Sequence, residues 1–282
     1  MTIQIIADSS CDITPSIREK LHLVSVPLKI QVAGGKAYVD DGSIDIPELI
    51  AGMKASKQAT ATACPSPEDY ASLMRQYDAC FVITLSSKLS GSNNAARVAR
   101  DMVMETHPEK KICVLDSKSA SAGEVRLALF LHECIEAGED FDGIVKKAEA
   151  FIANQRTLFV LEDLGNFVKN GRLNKVTGIV ASILALCPIM SDDGEGEVKM
   201  ASKVRGIQNA LHKLVDTVAE QTAERARQSV TMVLAYCNCP ERAAAIKEEF
   251  FAKCAALRDI IMVPTGGLST VYANQGGIVV AF

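Results

Sequence analysis

Hydroxyl-bearing side chains follow three short apolar segments of this sequence, and each segment is typical of a buried strand. The hydroxyl-rich stretches are Ser9–Ser10 after Ile3–Ala7, Ser86–Ser92 after Cys80–Leu85, and Ser117–Ser121 after Ile112–Leu115. In a parallel sheet the carboxyl ends of such strands share one edge, which is where ligands bind in open α/β folds. The pattern therefore predicts that these hydroxyls surround one site.

The chemistry that such an edge offers is anion binding. Helices that begin there direct free backbone N–H groups and the positive end of the helix dipole at the same space. Gly91 and Gly123 lie within or beside the serine stretches, and glycine lets a ligand oxygen approach the backbone closely. A single serine is typical of an ordinary helix cap. Three such stretches, with Ser121 closing the third, favour a pocket for either a carboxylate or a phosphate.

The sequence lacks the motifs of several other kinds of site. It contains no phosphate-binding loop of the Walker or dinucleotide type and no Gly-x-Ser-x-Gly. The four histidines, His22, His107, His132 and His212, are remote in sequence from the serine stretches. No His, Cys or Asp cluster has metal-ligand spacing, so we expect no metal and no cofactor. An enzyme that uses a serine nucleophile on a small anionic substrate stays open as the alternative function.

The elements that would position these hydroxyls alternate between strand and helix in the first half of the chain. Such alternation predicts a parallel sheet covered by helices. The pattern changes near residue 156, and the second half mixes a hairpin around residues 192–196 with long amphipathic helices. We predict an α/β fold with two domains, an N-terminal parallel sheet flanked by helices (1–156) and a C-terminal mixed sheet with helices on one face (157–282). One strand is expected over Val24–Val32.

Composition narrows the class of protein further. The 282 residues carry a net charge of −4, with 48% hydrophobic and 23% charged side chains, as in a globular protein. No basic block or aromatic-basic stripe indicates nucleic-acid binding. The sequence shows neither a signal peptide nor an apolar stretch long enough for a membrane span. Nine scattered cysteines without Cys-x-x-Cys indicate a reducing compartment, and we expect a cytoplasmic protein.

Five segments and the carboxyl-terminal stretch together resemble the DegV family of bacterial fatty-acid-binding proteins along nearly the whole chain. They are Asp8–Asp12, Thr62–Pro67, Ser86–Gly91, Asp116–Gly123, Leu161–Arg172 and Tyr272–Phe282. Each segment is weakly specific, but their order and spacing are specific together.

The resemblance implies that one long-chain fatty acid lies between two α/β domains. It implies that the carboxylate is held by Thr62, by Ser90 and by the amide of Gly91, with Arg172 near the head group. Some members of the family are the lipid-carrying subunit of a fatty acid kinase and present the acid to a separate ATP-binding subunit. The resemblance thus implies a lipid-binding protein rather than a self-sufficient enzyme.

The sequence departs from the family pattern at three motifs. Thr-Ser-Gln-Pro-Ser reads Thr62-Ala63-Cys64-Pro65-Ser66, and Ser-Gly-Thr-Tyr reads Ser90-Gly91-Ser92-Asn93. The terminal His-x-Gly-Pro-Gly reads Tyr272-Ala273-Asn274-Gln275-Gly276, so a phenol replaces the family's imidazole. Tyr272 still offers a hydrogen bond to the head group but no positive charge. This change bears more on coupling to a kinase than on lipid binding.

An acyl tail also requires a long apolar slot. An apolar segment lies between residues 178 and 186, and its side chains are candidates to line the slot. The candidates are Ile179, Val180, Ile183, Leu184 and Leu186. Packing into an ordinary hydrophobic core is the alternative for these residues.

Overall fold

The structure, a computed structural model, describes residues 3–56, 58–173, 186–223 and 230–282. The strands are β1 (Ile3–Asp8), β2 (Val24–Val26), β3 (Lys29–Gln31), β4 (Ala37–Val39), β5 (Ala61–Ala63), β6 (Ala79–Thr84), β7 (Lys111–Asp116), β8 (Thr157–Val160), β9 (Cys187–Asp192), β10 (Val198–Val204), β11 (Val230–Tyr236), β12 (Leu257–Pro264) and β13 (Ile278–Ala281). The helices are α1 (Pro15–Leu21), α2 (Ile46–Ala55), α3 (Pro67–Met74), α4 (Ser92–Thr106), α5 (Ala122–Glu136), α6 (Phe141–Asn154), α7 (Gly165–Lys169), α8 (Ile207–Thr222), α9 (Pro240–Lys253) and α10 (Gly267–Ala273).

The first half of the chain forms a four-stranded parallel sheet in the order β2-β1-β6-β7, as the sequence predicts. All six residues of β6 are buried because helices cover both faces of the sheet. Helices α3 and α4 cover one face, and α5 and α6 cover the other. Strands buried on both faces read as continuous apolar runs, which is why Cys80–Leu85 is recognisable in the sequence.

A small antiparallel sheet, β4-β3-β5, corrects the prediction of a single strand over Val24–Val32. The apolar run is divided at Pro27, so that β2 joins the parallel sheet and β3 joins the small one. Proline has no backbone N–H for a strand ladder, which favours a break at that point. The small sheet places Thr62 of β5 opposite Ile30 of β3.

The second half forms a six-stranded sheet in the order β10-β9-β8-β13-β11-β12, in which only β11 and β12 pair in parallel. The mixed sheet and the hairpin between β9 and β10 confirm the sequence prediction. Helices α8 and α9 pack on one face of this sheet. The other face packs against α5, whose Val125 and Leu131 share a core cluster with Val233 and Val263.

The division of the chain into two domains at residues 156 and 157 stays a prediction. None of the helices in the described ranges has the length and apolarity needed to cross a bilayer.

Two buried aspartates of the first half hold the start of α10, near the end of the chain. Asp40 accepts hydrogen bonds from the backbone N–H groups of Gly267 and Leu268, both at 2.9 Å, and Asp12 accepts one from Gly266 at 2.8 Å. Carboxylates satisfy the free N–H groups at a helix start and favour its positive dipole end. These contacts attach α10 to the first half of the chain.

We expect Asp40→Ala to lower the free energy of unfolding by about 2 kcal/mol, because two buried N–H donors lose their acceptor. Burial raises the pKa of Asp40, which shows that its carboxylate is unfavourably buried. Removing this carboxylate offsets part of the lost stability. Urea denaturation at pH 7 measures the change. Asp41→Ala, at the exposed neighbouring position, is the matched control. Equal destabilisation by the two variants would contradict the role given to Asp40.

Candidate functional site

The three hydroxyl-rich stretches meet at one edge of the parallel sheet, because β1, β6 and β7 are neighbours. The backbone N–H of Ser121 donates to the carbonyl of Ser10 at 3.0 Å, and that of Ser86 donates to the carbonyl of Ser119 at 2.7 Å. The stretches are therefore bonded to each other as well as adjacent. The predicted convergence of the serines is confirmed.

Asp8 fixes the relative position of two of these stretches. Its Oδ1 accepts from the N–H of Ser10 at 3.1 Å, and its Oδ2 accepts from the N–H of Leu85 at 3.0 Å. A carboxylate that accepts two backbone bonds from different strand ends holds both loops in one geometry. The side chain is fully buried and supports the site from beneath.

A cavity of about 320 Å³ opens above this edge and extends toward the six-stranded sheet. Its volume lies at the small end of the range of ligand pockets in proteins. The large apolar side chains that line it come from both halves of the chain: Leu28, Leu85, Leu89, Phe159, Leu161, Phe167, Val198, Leu268 and Val279. The cavity is thus apolar along most of its wall.

All six residues that the sequence analysis assigned to ligand binding line this one cavity: Thr62, Ser90, Gly91, Ser121, Arg172 and Tyr272. They come from five separate parts of the chain, including β5 of the small sheet and α10. Their grouping around one space is a property of the fold, while their contact with a ligand stays a prediction.

Five of the six form a polar end of the cavity, and three of these, Thr62, Arg172 and Tyr272, are connected through Asn170. The hydroxyls of Thr62 and Tyr272 lie 3.1 Å apart, and the Asn170 amide lies 3.5 Å from the Tyr272 hydroxyl. Arg172 donates to the carbonyl of Asn170 through Nη1 and to the carbonyl of Leu89 through Nε at 3.2 Å. Asn170 thereby joins the tyrosine to the arginine.

Ser90 and Gly91 complete this polar end at the start of α4. The Ser90 hydroxyl lies 3.1 Å from the Ser92 hydroxyl. Gly91 begins the helix without a side-chain cap, and a Cβ there would lie 3.2 Å from Cys64 Sγ. This close approach places Cys64 beside the polar end.

Ser121 occupies a different part of the wall from the polar end. Its hydroxyl donates to Asp12 Oδ2 at 2.5 Å, so its proton is already engaged. Its backbone has φ of 55°, an uncommon conformation for a residue other than glycine. The hydrogen bonds to Ser10 and Asp12 hold Ser121 in this conformation, so the surrounding structure determines where Ser121 lies.

Buried carboxyl groups lie behind the serine stretches. Burial raises the pKa of Asp8 to about 6 and that of Asp12 to about 7. Burial, together with the neighbouring charge of Asp8, raises the pKa of Glu124 well above its usual range. In each case burial favours the protonated form of the carboxyl group, which carries no charge.

Only one of the five residues predicted to line the apolar slot lies in the part of the chain that the structure describes. Ile179, Val180, Ile183 and Leu184 lie outside the described residues. Leu186 is half-buried just before β9 and is not among the residues that line the cavity. Within the described ranges, the apolar wall comes instead from β8, β10, β13, α7, α10 and the loops after β2, β6 and β8.

The described residues give little support to a serine nucleophile with a nearby base. No histidine in these ranges lines the cavity, so no imidazole there reaches the serines. No group of three or more His, Cys, Asp or Glu residues in the described part of the chain could hold a metal ion. All nine cysteines are free thiols.

Asn170, Asp12 and Asp40 are the functional residues that sequence reasoning missed. Asn170 stands in one of the motif segments, which was its only signal. The two aspartates resemble ordinary turn residues in the sequence. Their partners at the start of α10 lie more than 200 positions away, so no local pattern reveals these contacts.

Comparison with known proteins agrees with this architecture over the whole chain. A family profile described as an uncharacterised protein of the DegV family matches residues 2–282. A DegV domain-containing protein of Streptococcus pneumoniae R6 is 36% identical over 291 residues, covering 100% of this chain and 99% of the relative.

Solved structures give the same result. A DegV family protein from Ruminococcus gnavus, refined with vaccenic acid, has a TM-score of 0.93 at 37% identity, and the match covers 100% of this chain and 99% of that one. Fatty acid kinase (Fak) B3 of S. pneumoniae, loaded with linoleic acid, has a TM-score of 0.89 at 34% identity with the same coverage. The chain belongs to the DegV family.

Proposed function

We propose that this chain binds one long-chain fatty acid, with the acyl chain in the cavity and the carboxylate at its polar end. The observation that carries the proposal is a cavity whose wall is mostly apolar and at which Thr62, Ser90, Gly91, Arg172 and Tyr272 form one polar end. The lipids bound to the structures from R. gnavus and S. pneumoniae support the same class of ligand.

The polar end supplies the bonds that a buried carboxylate requires. Burying a charge is tolerable only when it is paired and hydrogen-bonded. The hydroxyls of Thr62 and Ser90 and the N–H of Gly91 are donors without fixed charge, and Arg172 adds one positive charge beside them. Tyr272 acts through Thr62, because its hydroxyl positions the threonine hydroxyl at 3.1 Å.

We further propose that the protein carries the lipid without performing chemistry on it, in a reducing cytoplasm. Its similarity to Fak B3 supports a role in presenting the acid to a separate ATP-binding kinase subunit, which would form the acyl phosphate. The bound fatty acid would be the only small molecule required by this chain, and nucleic acid would not be a partner.

Lipid extraction from the purified, denatured protein followed by mass spectrometry tests the proposal. We expect about one fatty acid per chain, as for a single buried site. In the double variant Thr62→Ala, Ser90→Ala, we expect most of the lipid to be lost while the circular dichroism spectrum is retained, because the carboxylate loses two hydroxyl donors.

The double variant Ser72→Ala, Thr217→Ala is the matched control. It removes two hydroxyls, on α3 and α8, that donate to backbone carbonyls of their own helices, those of Asp69 and Lys213. We expect it to keep the lipid. Full lipid occupancy in the Thr62, Ser90 variant would contradict the assigned head-group site, and a wild-type protein without any lipid would contradict the function itself.

A further inference from the structure

An open cleft of about 830 Å³ adjoins the polar end of the cavity on its outer side. Leu89, Ser90, Gly91 and Arg172 line both spaces and form the wall that the two share. A group attached to a carboxylate at the polar end would therefore lie beside this shared wall. The fatty-acid function alone makes no use of this space.

Positive charge is concentrated in the cleft, although the protein as a whole carries a net charge of −4. Lys88, Arg97, Arg100 and Arg172 line it together with a single acidic residue, Asp116. Asp116 Oδ1 already accepts two backbone bonds, from the N–H groups of Ser87 at 3.2 Å and Lys118 at 3.0 Å. The cleft therefore has a surplus of cations.

The arginines of α4 are placed for joint contact with one anion. Arg97 and Arg100 are three residues apart on the helix, so their side chains lie on the same side. Arg97 is exposed, and neither it nor Lys88 forms an ion pair with any residue in the described ranges. Arg100 bonds to its neighbour Asp101 through Nε and Nη2 at 2.9 and 2.7 Å, and its Nη1 is not used in that contact.

A phosphoryl group fits these features better than a second carboxylate. Guanidinium groups match phosphate oxygens in bidentate geometry, and several cations around one site are typical of phosphate recognition. In the reaction proposed above, a carboxylate oxygen attacks the terminal phosphorus of a nucleoside triphosphate. The new C–O–P linkage forms as the bond from phosphorus to the diphosphate breaks, and the diphosphate leaves with the electron pair. The head group then changes from one negative charge to two.

We propose that the cleft holds the phosphoryl group of the acyl phosphate, with Arg97 and Arg100 as its main cationic contacts. This inference rests on the proposed fatty-acid function. It assigns the larger, more highly charged head group to the cleft and leaves the acyl chain in the cavity. Arg172 contacts both spaces and would serve the carboxyl group in either state.

Hexadecyl phosphate, a stable phosphate monoester, tests the cleft without any partner subunit. The delipidated protein is titrated with hexadecyl phosphate and, separately, with palmitate in a calorimeter. We expect the variant Arg97→Gln, Arg100→Gln to bind hexadecyl phosphate about tenfold more weakly and palmitate with less than about a twofold change. The tenfold loss should shrink as KCl is raised, because the lost contacts are electrostatic and partly exposed.

The variant Lys20→Gln, Arg258→Gln removes the same charge at exposed sites outside the cleft and should leave both affinities unchanged. Equal losses for the two ligands in the Arg97, Arg100 variant would overturn the proposal, as would no loss for either. So would a loss confined to binding of phosphatidylglycerol vesicles, which would indicate a membrane-facing surface. Failure of the wild type to bind palmitate would instead overturn the fatty-acid function.

Discussion

Alanine at Gly196 is expected to lower the free energy of unfolding by about 4 kcal/mol, through backbone strain and a steric clash together. Gly196 has φ of 87°, which side chains rarely adopt. A Cβ there would lie 2.4 Å from Ser86 Oγ and 2.9 Å from the Cα of Lys118. The backbone of Lys118 belongs to a serine stretch and cannot move without disturbing it.

Gly194→Ala separates the two causes. Gly194 lies in the same turn with φ of 88°, but a Cβ added there would have nothing within 4 Å, so only strain remains, at about 1 kcal/mol. Urea denaturation of both variants measures the difference. Gly196→Ala should also release co-purified lipid, because the Ser86 hydroxyl donates to the Gly196 carbonyl at 2.7 Å beside the cavity. Equal stability of the two variants would show that the hairpin does not pack as described.

Glutamine at Glu124 is expected to make the stability of the protein less dependent on pH. Glu124 is fully buried on α5, and burial together with Asp8 raises its pKa well above the ordinary 4.5. In the unfolded chain the group ionises near pH 4.5, whereas in the folded chain it keeps its proton to higher pH. The contribution of Glu124 to the stability of the fold is therefore complete below pH 4.5. It is lost as the pH rises toward the pKa that Glu124 has in the folded protein.

Glutamine is neutral in the folded and in the unfolded chain, so a glutamine at this position causes no loss of stability as the pH rises. Relative to the wild type, the variant should gain about 1.4 kcal/mol of stability for each pH unit above about 4.5, until the folded pKa is reached. Denaturant unfolding at four pH values between about 5 and 8 measures this slope. Glu133→Gln, at an exposed position of the same helix, should show almost none. Parallel stability curves for wild type and Glu124→Gln would show that Glu124 is ionised in the folded protein.

The sequence predicts the parallel sheet and its serine-lined edge because both have local signals. Strands β1, β6 and β7 are mostly apolar, and a hydroxyl-rich stretch follows each of them. The small sheet β4-β3-β5 has no such signal. Three-residue strands have too few positions to show an alternating pattern, and the run over Val24–Val32 conceals the change of sheet at Pro27.

The site was predictable to the extent that it lies in recognisable motifs. Thr62, Ser90, Gly91, Arg172 and Tyr272 were found through resemblance to a family, and the fold brings them together. The supporting contacts were not predictable from local patterns. The Leu268 N–H, for example, donates a hydrogen bond to Asp40, 228 positions away, and this contact depends on how the two halves pack.

Helix α5 has a consequence for how a ligand gains access. Its buried side chains contact the parallel sheet on one side and the mixed sheet on the other, within one continuous core. A hinge motion that separated the sheets would expose this apolar surface to water, at a cost of about 25 cal/mol for each Å² exposed. We therefore expect the two halves to unfold as a single cooperative unit, and fatty acids to enter and leave through local rearrangement of loops at the rim.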